Sequence, residues 1–176
     1  AVDMLDNSEP IRTYALDEPS YWVKRTYQRI DPAENKALSE TSAKDSILPL
    51  VDIINNAIDS GTLYPFRDAA YSDAYPLDRR PHVHSSPMVL KVDFAYDYTT
   101  QELAPHLIGL SFEQADSTPV NLYFPQLRYA LKPYKVRTSE VLVSCADYFY
   151  RWGCTAHPTQ LDSAQTVPGC ANCSPL

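Results

Sequence analysis

Fifteen prolines set against four glycines constrain this 176-residue chain more than any other feature. Each proline fixes φ and removes a backbone donor, so the chain is broken often and long helices are disfavoured. The glycines, Gly61, Gly109, Gly153 and Gly169, have neither spacing of the glycine-rich loops that cradle phosphates, which sets aside the common nucleotide-binding classes. The length suits one domain with its own core. No apolar run approaches the roughly 20 residues of a membrane-spanning helix. A net charge of −7 argues against a nucleic-acid backbone as partner. Thirteen tyrosines either plug sheet faces or supply amphipathic contact area for a partner.

Periodicity orders the rest. Residues 1–20 lack a steady period and read as an extended arm whose Asp3, Asp6, Glu9, Asp17 and Glu18 face only Arg12. The run YWVKRTYQRI at 21–30 is aromatic, β-branched and alternately basic, in the manner of an edge strand. Residues 31–45 read as a loop. Over 46–60, Ile47, Leu50, Val51, Ile54 and Ile58 form one helical stripe, with Pro49 in the first turn and Gly61 at the C-cap. A proline-bounded polar loop occupies 76–87.

Met88, Leu90, Val92, Phe94 and Tyr96 then alternate with Lys91, Asp93 and Asp97, predicting a strand with one wet face. Tyr98 to Gln101 turns it back into LAPHLIGLSFE, and VNLYF makes a third strand. Pro125 opens a short helix that ends before Pro133. Ser139-Glu140 is expected to open a last helix carrying Leu142, Cys145, Phe149 and Trp152 on one face, and the tail after Gly153 reads as irregular. The expected fold is α+β: an antiparallel sheet with a few short helices packed on one side, over residues 21–152.

Catalytic chemistry finds little support. His82-Val83-His84 places two rings near each other without a local acidic or cysteine ligand, and His106 falls within a strand, where it is expected to hydrogen-bond at the sheet surface. There is no G-x-S-x-G nucleophile elbow, and Asp93 and Asp97 fall on the wet face. No nucleophile, base and orienting group converge, so the expectation is a non-enzyme without a cofactor. A small zinc-dependent hydrolase using His82, His84 and His157 or the cysteines is disfavoured, because the ligand spacing fails.

Cys145, Cys154, Cys170 and Cys173 all lie near the C-terminal end, which suits disulfides in an oxidising compartment. Zinc held by Cys170-Ala-Asn-Cys173 with His157, or free thiols, are the alternatives. The chain opens Ala1-Val2-Asp3 without Met, as an exported mature chain does and as a piece cut from a longer chain would; if it is exported, position 1 is not the Cys of a lipid anchor. Arg79 and Arg80, on a proline-stiffened loop, are either ordinary solvated charges, the commoner case, or cations presented to a partner.

The order of segments resembles the GldN/PorN family of the Bacteroidetes type IX secretion and gliding machinery. The resemblance is carried by YWVKRTYQRID, the helix with LYPF, KVDFAYD, HLIGLSFE, NLYFPQLRYALKPYKV and SEVLVSCADYFYRW. Its most specific piece couples Leu107, Ile108, Gly109 and Leu110 to Leu122, Tyr123, Phe124, Pro125, Leu127 and Arg128. The segment from Gly153 to Leu176 stands outside it.

The resemblance implies a non-enzymatic periplasmic subunit, associated with the outer membrane, that forms a ring with an outer-membrane lipoprotein of the GldK/PorK type. It also implies contact with the periplasmic part of a GldM/PorM-type motor protein, and self-association within the ring. The expected contacts are the acidic arm, Arg79, Arg80, Tyr123, Phe124 and Arg128. The alternative is a secreted or surface carbohydrate- or peptide-binding module with exposed tyrosines as its stacking platform.

Overall fold

The computed structural model describes residues 21–43, 46–97, 101–138, 141–150, 154–159 and 165–166. The described chain is α+β, with two antiparallel sheets and three short α-helices. The large sheet contains β1 (Tyr21–Ile30), β4 (Pro65–Phe66), β5 (Met88–Asp97), β6 (Glu102–Phe112), β7 (Val120–Tyr123) and β10 (Ala156–Pro158) in the order β10-β1-β5-β6-β7-β4. A short strand, β11 (Gln165–Thr166), also pairs with β1. The small sheet runs β3-β2-β8-β9, from β2 (Thr41–Ala43), β3 (Ser46–Leu48), β8 (Lys135–Arg137) and β9 (Leu142–Ser144). The helices are α1 (Leu50–Ser60), α2 (Phe124–Leu131) and α3 (Cys145–Tyr150).

The period-two strands fold as their patterns dictate. Residues 88–97 and 102–112 pair as a hairpin with a register shift after Lys91, and residues 98–100 of its turn lie outside the described residues. One face of this sheet joins α1, α2 and α3 in a single core. Leu90, Leu110 and Leu122 meet Ile54, Leu127 and Phe149 there. Cys145 belongs to the same core.

Five expectations about the elements are corrected. The 46–60 helix begins only at Leu50, because a residue before proline avoids the α region. Ser46–Leu48 therefore extends as β3, and Ile47 is 70 % exposed rather than part of the stripe. The buried face of α1 is Leu50, Ile53, Ile54, Ala57 and Ile58, and Gly61 caps it at φ 81°. Residues 142–144 likewise form β9, since Val143 pairs across from Val136, and α3 starts at Cys145. Ser139, Glu140 and Trp152 of that expected helix lie outside the described residues.

The strand at 21–30 is not an edge: β5 pairs along one side of it, β10 and β11 along the other. Those last two strands come from the tail expected to be irregular. The sheet thus extends past residue 152, and Asn35 ties the tail down by accepting from Thr155 N at 2.7 Å and donating to Thr155 O at 3.0 Å. The arm at 1–20 lies outside the described residues.

The expected wet face of β5 is covered. Asp93 is 0 % exposed, and Arg25 directly opposite it on β1 grips it through two bonds of 2.7 and 2.8 Å. A carboxylate taken from water needs such a two-pronged cation, and removing the cation strands the charge. Arg25→Met is expected to lower unfolding free energy by about 3–5 kcal/mol. Adding Asp93→Asn should return a large part of that loss; urea titration of the single and double variants checks both.

Candidate functional site

Two regions concentrate chemistry-bearing groups: the second face of the large sheet, and the loop at 76–87. On the second face, the segment 67–74 folds over β5, β6 and β7. Asp68 braces this segment by accepting from the backbone of Ser72 and Asp73 and from the Ser72 hydroxyl, bonds that hold its carboxyl below the usual carboxylate range. Arg67 closes the segment on Asp73 at 3.0 Å.

Tyr71 sits at φ 58°, a backbone conformation that a bulky residue rarely adopts unless its surroundings enforce it. Its ring lies 5.1 Å from that of Tyr123 and 5.9 Å from that of Phe66. Its hydroxyl occupies the space that a Cβ on Gly109 would fill, 1.7 Å from the ideal position of that atom. Burial raises the Tyr71 phenol above its ordinary range.

Beside Tyr71, Lys91 is buried. Its ammonium lies 4.8 Å from the Tyr71 ring centre and donates to Ala69 O at 2.6 Å. Burial, with Arg25 nearby, brings this lysine down to about 8. His106, across from Asp93 on β6, is also held below its usual value, chiefly by burial. Lysine, tyrosine, arginine, aspartate and histidine so close together, with shifted acidities, make an active-site-like list. Yet Tyr71 fills the space over Gly109 and its ring covers Lys91, so these groups are engaged with one another. The arrangement serves to clamp the segment 67–74 onto the sheet.

The loop at 76–87 is held from within the fold. Asn55 on α1 accepts from Val83 N at 2.8 Å and donates to Val83 O at 3.0 Å, while the Val83 side chain enters the core. Gln114 donates to His82 O at 2.7 Å, and His82 Nε2 meets Asp59 Oδ1 at the same distance. Arg80 donates to Ile58 O at 3.1 Å and stacks over Tyr64 at 4.9 Å. It therefore satisfies a carbonyl at the end of α1, where a cation also complements the helix dipole. Besides Pro76, His82, His84 and Ser85, the loop displays the turn Leu77–Arg79: Leu77 is 76 % exposed, and Asp78 and Arg79 are exposed beside it.

The sequence-predicted contacts therefore separate. Arg79 and Arg128 are exposed, and Arg128 packs over the Phe124 ring at 5.6 Å. Arg80 is engaged in the helix cap. Tyr123 and Phe124 are in the interior and present no surface to a partner, which corrects their place among the expected contacts. Pattern alone missed this because strand β7 is buried on both faces. Sequence reading also passed over Leu77 and Tyr129, the latter exposed on α2 next to Arg128. Tyr129 is the one exposed residue among tyrosines with described side chains, so a row of stacking tyrosines is not formed there.

Two of the four cysteines fall among the described residues, and neither is in a disulfide. Cys145 and Cys154 are free thiols, Cys145 inside the core and Cys154 packed against it, and burial pushes both up to about 12. Cys170 and Cys173 lie outside the described residues. His157 meets Glu34 at 2.7 Å. Among the described residues no three His, Cys, Asp or Glu side chains gather as metal ligands.

No family model matches the sequence, and no match to a curated protein is found.

The clamp makes two predictions. Gly109→Ala must displace Tyr71 and is expected to cost roughly 2 kcal/mol or more, in the range of core overpacking. Tyr71→Ala should abolish most of that increment, so a double-mutant cycle will show strong non-additivity. Lys91 supplies the second. The folded chain releases its lysine proton near pH 8, whereas the unfolded chain keeps it to about 10.5. Between those values the unfolded state binds more protons, so the stability contributed by this group rises with pH. Relative to Lys91→Met, wild type should gain about 2 kcal/mol from pH 8 to pH 10, read by urea unfolding of both proteins.

Proposed function

We propose that this protein is a non-enzymatic assembly subunit of the type IX secretion and gliding machinery, in the periplasm at the outer membrane. It would bind an outer-membrane lipoprotein of the GldK/PorK type within a ring and contact a GldM/PorM-type shaft protein. The motif order of the GldN/PorN resemblance points to this system. The observation that carries a binding role is the display of Leu77 and Arg79 on a turn fastened by Asn55, Arg80 and Gln114. A loop ordered before binding loses little conformational freedom on contact, and arginine is enriched among the residues that dominate interface energetics. The buried lysine–tyrosine group favours the same reading, because its chemistry is consumed internally.

The test exchanges Leu77→Ser with Arg79→Glu and leaves Arg80 untouched, since Arg80 caps α1. The double variant should keep its thermal midpoint and lose at least tenfold of the lipoprotein that co-purifies with wild type from solubilised envelopes. Undiminished recovery of the lipoprotein by the folded variant would contradict this surface. Recovery of no lipoprotein by wild type would contradict the assembly reading itself.

A further inference from the structure

The small sheet β3-β2-β8-β9 has an edge, β9, that is unpaired among the described residues and has a chemistry of its own, separate from the loop at 76–87. Along the β8–β9 ladder, Thr138 N donates to Val141 O at 2.9 Å and Cys145 N to Tyr134 O at 3.1 Å. Antiparallel bonding alternates, so Val136 and Val143 bond each other between those two pairs. The backbone of Leu142 and the N–H of Ser144 therefore turn away from β8. Among the described residues no strand pairs with β9 on that side.

The two faces of this sheet differ. Thr41, Leu48, Val136 and Val143 make up the inner row, with Thr41 and Val136 buried. The outer row carries Ser42, Lys135 and Arg137, then Ser144 and Leu142 opposite the two cations. Lys135 and Arg137 are exposed, and neither forms an ion pair with another described residue. Leu142 is 47 % exposed, and Val141 beside it is exposed as well. Two cations two residues apart on one strand, without an ion-pair partner among the described residues, form a local site of opposite sign to a chain of net charge −7.

We propose that the β9 edge docks an extended segment of a partner protein in which acidic and apolar residues alternate, by adding it as a fifth strand. Its backbone would meet the outward groups of Leu142 and Ser144. Its apolar side chains would continue the Val136–Val143 row, and its carboxylates would reach Lys135 and Arg137 across Leu142 and Ser144. Edge addition takes its affinity from main-chain bonds and its selectivity from such alternate positions. A second copy of this chain is the competing occupant of the same edge.

The probe is a fluorescein-labelled octapeptide of alternating Glu and Val, followed by anisotropy on the full chain. An octapeptide of alternating Lys and Val and a block peptide of four Glu then four Val serve as controls. The alternating acidic peptide should bind at least tenfold tighter than either control and weaken as salt rises. Lys135→Glu with Arg137→Glu should weaken it at least tenfold with no change in thermal midpoint, since both side chains are exposed.

Leu142→Pro removes one outward N–H while sparing the β8–β9 ladder, and it should weaken binding similarly. If that variant is destabilised, N-methylation of alternate peptide residues tests the same bonds from the other side. The proposal is overturned if the acidic and basic peptides bind alike, or if the charge-reversed chain binds as wild type does. It is also overturned if light scattering shows a dimer that charge reversal leaves intact and Leu142→Pro abolishes, because a second copy then holds the edge. These readouts use no envelope partner, so they stand apart from the lipoprotein experiment.

Discussion

A carboxylate buried without exposure in the middle of a sheet is tolerable only when something of opposite charge is delivered to it in register, and Arg25 on β1 does this for Asp93 on β5. Much of the molecule follows from that pairing. With Arg25 opposite Asp93, Ile30 falls opposite Met88 and enters the core, and the far side of β1 is set to receive β10 and β11. A slip of one residue would place every β1 side chain on the wrong face and leave Asp93 uncompensated. Toward β6, the same register sets Lys91 opposite Gly109, and that missing side chain is where Tyr71 seats. The pair and the seat together let the sheet be covered on both faces, by helices on one and by residues 67–74 on the other.

Much of this was legible in the sequence, and the part that was not has identifiable causes. The strands 88–97 and 102–112 announce themselves by period two, and the helix cap at Gly61 by residue type. The helix starts were misplaced where a local rule outranked the apolar stripe. Pro49 keeps Leu48 extended, and β-branched Val143 finds a partner in Val136. The wet face of β5 failed for another reason. Polar residues at alternate positions predict solvent only if nothing folds over them, and the segment that does so lies some twenty residues earlier in sequence, with no periodic signal of its own. Arg79 and Arg80 are adjacent and chemically alike, yet one faces outward and the other caps α1. Only the position of Ile58 O in space separates them.

The distribution of chemistry bears on how the protein works. Groups with the most altered acidities, Lys91, Tyr71, Cys145 and Cys154, are directed inward and hold elements together. Groups left at the surface are of another kind: Leu77 with Arg79 on a braced turn, Tyr129 with Arg128 on α2, and Leu142 near Lys135 and Arg137 on the small sheet. Each joins an apolar side chain to a cation on an acidic protein. On the proposed assembly reading, such surfaces would act as several separate contacts, each individually modest, whose effects combine.

The displayed loop is part of the rigid body before any partner arrives, and amide hydrogen exchange on the isolated chain tests this most directly. Val83 N donates to Asn55 within the fold, so its amide should exchange about as slowly as that of Leu110 in the middle of β6. Val83 exchanging near the unprotected rate while Leu110 stays protected would show the loop to be unfastened in the free protein, and the account of a prepared binding surface would fail.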